Sequence, residues 1–195
     1  KPQDIACKSI RVNISDVISK GARPKYYFLS IALPNDLGDD WIESFSIGLS
    51  HEQKIYDISL MGGDTVSTKG PLTINVVCFG IIKKNKMIKR SGAKAGDNLY
   101  VTGEIGSSRV GLEIIEENIY VNDHHKDYFL NKYRFPSPRH ELGPKLVDIA
   151  SSSIDISDGL ISDLNHICKA SNVGAKLNYF SIPKSGFLGA LSISE

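Results

Sequence analysis

Apolar positions along the chain alternate with period two in some stretches and recur at helical spacing in others. Residues 5–12, IACKSIRV, read as a strand, followed by a short helix with Asn13 or Ser15 at its N-cap and Gly21 as its stop. Residues 26–33, YYFLSIAL, are aromatic and aliphatic and read as a buried strand closed by Pro34. Asp39-Asp40 opens an amphipathic helix with Ile42, Phe45, Leu49 and Gln53 on one face, and acidic residues at that end suit the helix dipole. A short strand at 57–61 runs into Gly62-Gly63-Asp64-Thr65. A long strand at 71–82, PLTINVVCFGII, ends in the basic turn KKNKMIKR. The first portion therefore reads β-α-β-α-β-β.

The second portion alternates differently. Strands are expected at 98–103, 153–156 and 174–180. Helices are expected at about 107–118, 122–131 and 140–150, with another opened by Asp158 and running to about Ala170. Pro136-Ser137-Pro138-Arg139 is a rigid break. Charge and glycine cluster at 88–96, so the chain divides into residues 1–92 and 93–195. The expected class is α+β, an N-terminal α/β domain followed by a layered α/β C-terminal domain.

Composition narrows the function classes. The 195 residues are 41% hydrophobic and 23% charged, which supports a normal buried core. A formal net charge of +1 gives no electrostatic footprint for nucleic acid or a membrane surface, and no apolar run approaches a membrane span. Cys7, Cys78 and Cys168 form no CxxC pair, which argues against a thiolate zinc site and fits a reducing cytoplasm. The five histidines show no HExxH. Lys1-Pro2-Gln3-Asp4 has no initiator methionine, so the sequence is expected to begin inside a longer chain.

Three acidic spots fall at expected junctions between elements: Asp16 after Val12-Asn13-Ile14-Ser15, Asp64 after Gly62-Gly63, and Asp155 with Asp158 in Asp155-Ile156-Ser157-Asp158-Gly159. In an extended segment Asp155 and Ser157 share a side, and Asp158 would sit at a helix N-terminus whose amides can face an anion. Hard oxygen ligands of this kind suit Mg²⁺ bridged to phosphate. Each spot also reads as an N-cap or a glycine turn. The magnesium reading comes from their company, with the three sites converging at one edge of a sheet. Arg90 and Arg139 are candidate phosphate ligands or ordinary surface residues. A Walker A loop, a protein-kinase signature and a GxSxG elbow are all absent.

The ordered motifs resemble thiamine-monophosphate kinase, in the superfamily that also holds aminoimidazole ribonucleotide synthetase, selenophosphate synthetase and a hydrogenase-maturation protein. The resemblance runs through VNISD at 12–16, SIALP at 30–34, MGGDT at 61–65, RSGA at 90–93, YVTG at 100–103, PSPR at 136–139 and IDISDGL at 154–160. It implies transfer of the ATP γ-phosphoryl group to thiamine monophosphate, giving thiamine diphosphate, in a cytoplasmic homodimer. Carried over by position, Asp16, Asp64, Asp155 and Asp158 would bind magnesium, and Gly63, Asp64, Arg90 and Ser157 would contact ATP. The first domain's sheet would join its partner's in a barrel. Direct in-line transfer is expected, with positioning and charge neutralisation in place of a covalent nucleophile. The alternatives are another enzyme of that superfamily or a nucleotide-binding relative without turnover.

Overall fold

Ala6, Ile10, Ile14 and Ile18 recur every fourth residue and all are buried. That stripe makes Pro2–Ser19 one helix, α1, where a strand and a short helix were expected. The β-branched residues look strand-like by composition, but their period places them along one helical face. Asn13 and Ser15 are therefore interior residues, and Asn13 Nδ2 donates to the Ser9 carbonyl at 2.8 Å. Gly21 does end the helix: its φ is +77° and its N–H donates to the Ile18 carbonyl at 2.9 Å. The structure is a computed structural model and describes residues 1–190. The last five residues of the expected second domain, 191–195, lie outside the described residues.

The remaining elements of the first portion are β1 (Arg23–Pro34), α2 (Asp39–Tyr56), β2 (Ser59–Thr68) and β3 (Thr73–Ile81). They form a three-stranded sheet in the order β2-β1-β3, with β1 parallel to β2 and antiparallel to β3. The parallel pair needs a crossover, and α2 supplies it. Tyr27, Leu29 and Ile31 of β1 point inward and join the α1 stripe with Phe45 and Leu49 of α2. The buried face of α2 includes Gly48 and Glu52, while Ile42 is exposed. Gly48 sits so close to α1 that a Cβ there would come within 2.8 Å of Ala6 Cβ.

The other face of the sheet is apolar and is left uncovered by the described residues. Tyr26 and Phe28 of β1 alternate with the buried residues and are exposed, as are Val77 and Phe79 opposite them on β3. Phe28 and Phe79 meet edge to face, with ring centroids 5.9 Å apart.

The second portion holds α3 (Ser107–Ile115), α4 (Asp123–Arg134) and α5 (Leu160–Ser171). Helices α3 and α4 pack tightly, since a Cβ on Gly111 would lie 2.2 Å from the Phe129 carbonyl oxygen. The helix expected at 140–150 shrinks to a 3₁₀ turn at Gly143–Leu146, where Gly143 and Pro144 stand together. The strands expected at 98–103, 153–156 and 174–180 are not formed among the described residues. A strand needs a neighbouring ladder, and the described sheet consists of β1, β2 and β3 alone. Tyr100 accordingly lies 90% exposed.

Candidate functional site

Two expected metal ligands from opposite ends of the chain meet. Asp16 stands in the last turns of α1, where the helix runs over β3 near Cys78 and Gly80. Asp155 arrives on a loop tied to the segment after β3. Ser153 donates its N–H to the Lys89 carbonyl at 3.1 Å, and the Ser152 and Ser171 hydroxyls both donate to the Arg90 carbonyl, at 2.8 and 3.1 Å. Ser151 Oγ donates to Asp97 at 2.6 Å. The Ile88 N–H in turn donates to the Lys20 carbonyl at 3.0 Å, which fixes this segment to the end of α1.

The result is a carboxyl–carboxyl contact. The half-buried Asp155 side chain lies within hydrogen-bond reach of Asp16. Burial raises its pKa, and the neighbouring Asp16 charge raises it further, while Lys20 works in the opposite sense. The two carboxylates repel each other, and a cation between them would offset that repulsion. Their hard oxygens fit Mg²⁺ as the group that relieves the repulsion.

Lys20 borders the pair, and Arg90 lies near Lys20. Lys20 follows Asp16 by one helical turn and caps α1. Its Nζ is enclosed and has no hydrogen-bond partner among the described residues. Burial lowers its pKa, as does the nearby Arg90, against the pull of Asp155 and Asp16. Arg90 is exposed, with its backbone held by the two serines.

The loop after Asp155 differs from expectation. Ser157 and Asp158 are exposed, and α5 begins after Gly159. The amides of Ser157, Asp158 and Gly159 do not face outward for an anion. All three donate to one oxygen, Oδ2 of the buried Asp163, at 3.0, 3.1 and 3.1 Å. Ligand atoms of Asp158, Asp163 and His166 lie within 4.8 Å of one another, a grouping able to hold a cation. Asp163 and His166 were not singled out from sequence. Their three-residue spacing on one helix was the available signal.

Asp64 stands apart. It lies within β2, where it pairs in register with the outward Ser30, so it belongs to the exposed apolar face and not to the α1 side. Its Oδ1 accepts from the Thr65 N–H at 2.9 Å. The three acidic spots thus do not converge within one chain: Asp16 meets Asp155, and Asp64 lies on the opposite face. Gly62 and Gly63 are strand residues instead of a turn at a strand end. A Cβ on Gly63 would lie 1.7 Å from the Leu29 carbonyl oxygen, so glycine is required there by the β1 backbone. Arg139 is close to Gly103, where an added Cβ would meet its guanidinium at 2.6 Å.

The protein family described as AIR synthase related protein, N-terminal domain, matches residues 1–82. The resemblance to thiamine-monophosphate kinases is borne out by sequence and by fold. The chain is 43% identical over 195 residues to the thiamine-monophosphate kinase of Escherichia coli O157:H7, covering all of this chain and 59% of that protein. It is 39% identical over 186 residues to that of Bacillus subtilis, covering 93% of this chain and 57% of the relative. The crystal structure of thiamine-monophosphate kinase from Stenotrophomonas maltophilia superposes with a TM-score of 0.91 at 33% identity, over 99% of this chain and 62% of that one. A structure described as AaThiL complexed with AMPPCP and TMP gives 0.89 at 31% identity, over 97% and 60%. The hydrogenase maturation protein HypE of E. coli shares the fold, at 20% identity and a TM-score of 0.79, over 95% and 57%. The chain spans about three fifths of the length of the thiamine-monophosphate kinases it matches.

Proposed function

We propose that the protein is an ATP-dependent thiamine-monophosphate kinase, transferring the γ-phosphoryl group of ATP to thiamine monophosphate. The observation that carries this reading is the meeting of Asp16 with Asp155 in a chain akin to those kinases. Both substrates are anions, so the site must offset their repulsion. Asp16 and Asp155 would hold magnesium, whose charge neutralises phosphate oxygens as the phosphoryl group moves. Arg90 lies near Lys20 and would take the nucleotide's phosphate chain. Asp158 and Ser157 on the adjoining loop would add a second metal ligand and a hydroxyl contact. Gly63 and Asp64 lie on β2 apart from Asp16 and Asp155, and would contribute metal and nucleotide contacts only where a second chain, paired on the outer face of the sheet, completes the site. The acceptor is itself an ionised phosphate, so direct in-line transfer needs no covalent nucleophile and no strong base.

The apolar outer face, with Tyr26, Phe28, Val77 and Phe79 exposed, supports pairing of two sheets in a homodimer, and we propose a division of the chain near residue 92. ATP consumption measured with candidate acceptors tests the reading. Thiamine monophosphate should stimulate it, and Asp155→Asn should lower turnover by about 100-fold or more, the scale of losing one group that stabilises transition-state charge. Asp64→Asn should lower it sharply as well. Stimulation by a purine precursor instead would move the chain to another enzyme of the superfamily. Nucleotide binding by calorimetry with no turnover would make it a binding relative.

A further inference from the structure

Lys20 is the charged group at the site that phosphoryl transfer leaves without a role. It stands one turn beyond Asp16 on α1, and its Nζ is enclosed with no hydrogen-bond partner among the described residues. The charged groups acting on it are Arg90, Asp155 and Asp16. The four side chains nominally balance, two cations against two carboxylates. An unpaired ammonium inside protein is costly, and that cost falls when an anion comes near.

This balance sets what the site will accept. A bare divalent cation settling between Asp16 and Asp155 enters against the fields of Lys20 and Arg90. Once it is there, the cluster carries an excess of two positive charges, which suits a polyphosphate chain. We propose that Lys20 couples metal to polyphosphate at this site, opposing a divalent cation that arrives alone and favouring one accompanied by a nucleoside triphosphate. Coupling of this kind is reciprocal, so the metal raises nucleotide affinity by the factor that the nucleotide raises metal affinity. The inference rests on the proposed placement of the metal between Asp16 and Asp155.

The test is binding, not turnover. Mn²⁺ alone, counted by electron paramagnetic resonance, and Mg-ATP, followed by calorimetry, are titrated into the unaltered chain and into Lys20→Met, which keeps an apolar stem of similar length. The Met variant should bind Mn²⁺ alone about three- to tenfold more tightly and Mg-ATP more weakly by a similar factor, as expected for removing one nearby charge. Lys20→Arg keeps the charge and should match the unaltered chain in both titrations. An Mn²⁺ affinity that is unchanged or weakened in Lys20→Met overturns the coupling role. If the Asp16→Asn/Asp155→Asn double variant binds as many Mn²⁺ ions as the unaltered chain, and as tightly, the placement of the metal fails, and this inference with it; loss of one bound ion, with any at Asp158, Asp163 and His166 retained, supports it. Far-ultraviolet circular dichroism establishes that each variant is folded, and Lys20→Gln replaces Lys20→Met should the latter not fold.

Discussion

Tyr27 shows how one residue can carry a cost inside the core. Its ring is fully buried between β1 and the helices, yet its hydroxyl has no hydrogen-bond partner among the described residues. Burial pushes its pKa from 10.0 up to about 12. The folded state therefore holds the phenolic proton more tightly than the unfolded chain does. That contribution to stability is complete below pH 10 and is lost as pH rises toward 12. Tyr27→Phe should remove both the unpaired hydroxyl and this alkaline loss. Urea unfolding at neutral pH should show the variant equal to or more stable than the parent, by up to about 1 kcal/mol. Repeated between pH 10 and 12, the gap should widen in the variant's favour. Cys7 follows the same logic, its thiol pushed up to about 12 mainly by burial, with Glu52 adding to it, which makes it unreactive as a thiolate near neutrality.

Helix α1 carries both the clearest success and the clearest failure of reading by pattern. Its end at Gly21 was legible, because a positive φ favours glycine. Its beginning was not, because Ile5, Ile10 and Val12 suggest a strand by residue type while the four-residue stripe decides for a helix. In α2 Phe45 and Leu49 are buried as expected, but Ile42 is exposed, and Glu52 and not Gln53 is the residue buried at the far end of the face. The reason is an ion pair that no periodicity announces. Arg11 of α1 grips Glu52 with two hydrogen bonds of 2.7 and 2.9 Å, and its third nitrogen reaches the Pro136 carbonyl at 3.4 Å. This pair clamps α1 to α2 and reaches the second portion. Glu52→Ala leaves a largely buried guanidinium unpaired, and chemical denaturation should show a loss of about 3–5 kcal/mol. Replacing both partners together, Arg11→Met with Glu52→Leu, should cost much less than the single change.

At the scale of the whole molecule, the legible part is the sheet and the meeting of distant residues is not. Strand β1, helix α2 and strand β3 follow from local pattern, as does the start of α5 near Asp158. The second portion's strands failed because residue type alone cannot supply the neighbour that a ladder requires. The contact of Asp16 with Asp155 depends on the bonds that Ser151, Ser152, Ser153 and Ser171 make to residues 89–97, which no motif spells out. The separation of Asp64 from that pair follows from strand register, since its partner Ser30 points away from the helices.

The carboxylate of Asp163 has a consequence that can be watched in time. Three successive amides, those of Ser157, Asp158 and Gly159, converge on it although they belong to neither helix nor strand. Solvent-exposed loops ordinarily trade their amide protons for deuterium quickly, and this one should not. Its three amides should exchange as slowly as those inside α5, and Asp163→Ala should release all three together while α5 beyond its first turn stays protected. The loop following Asp155 would then behave as a clasp that opens only when α5 itself lets go.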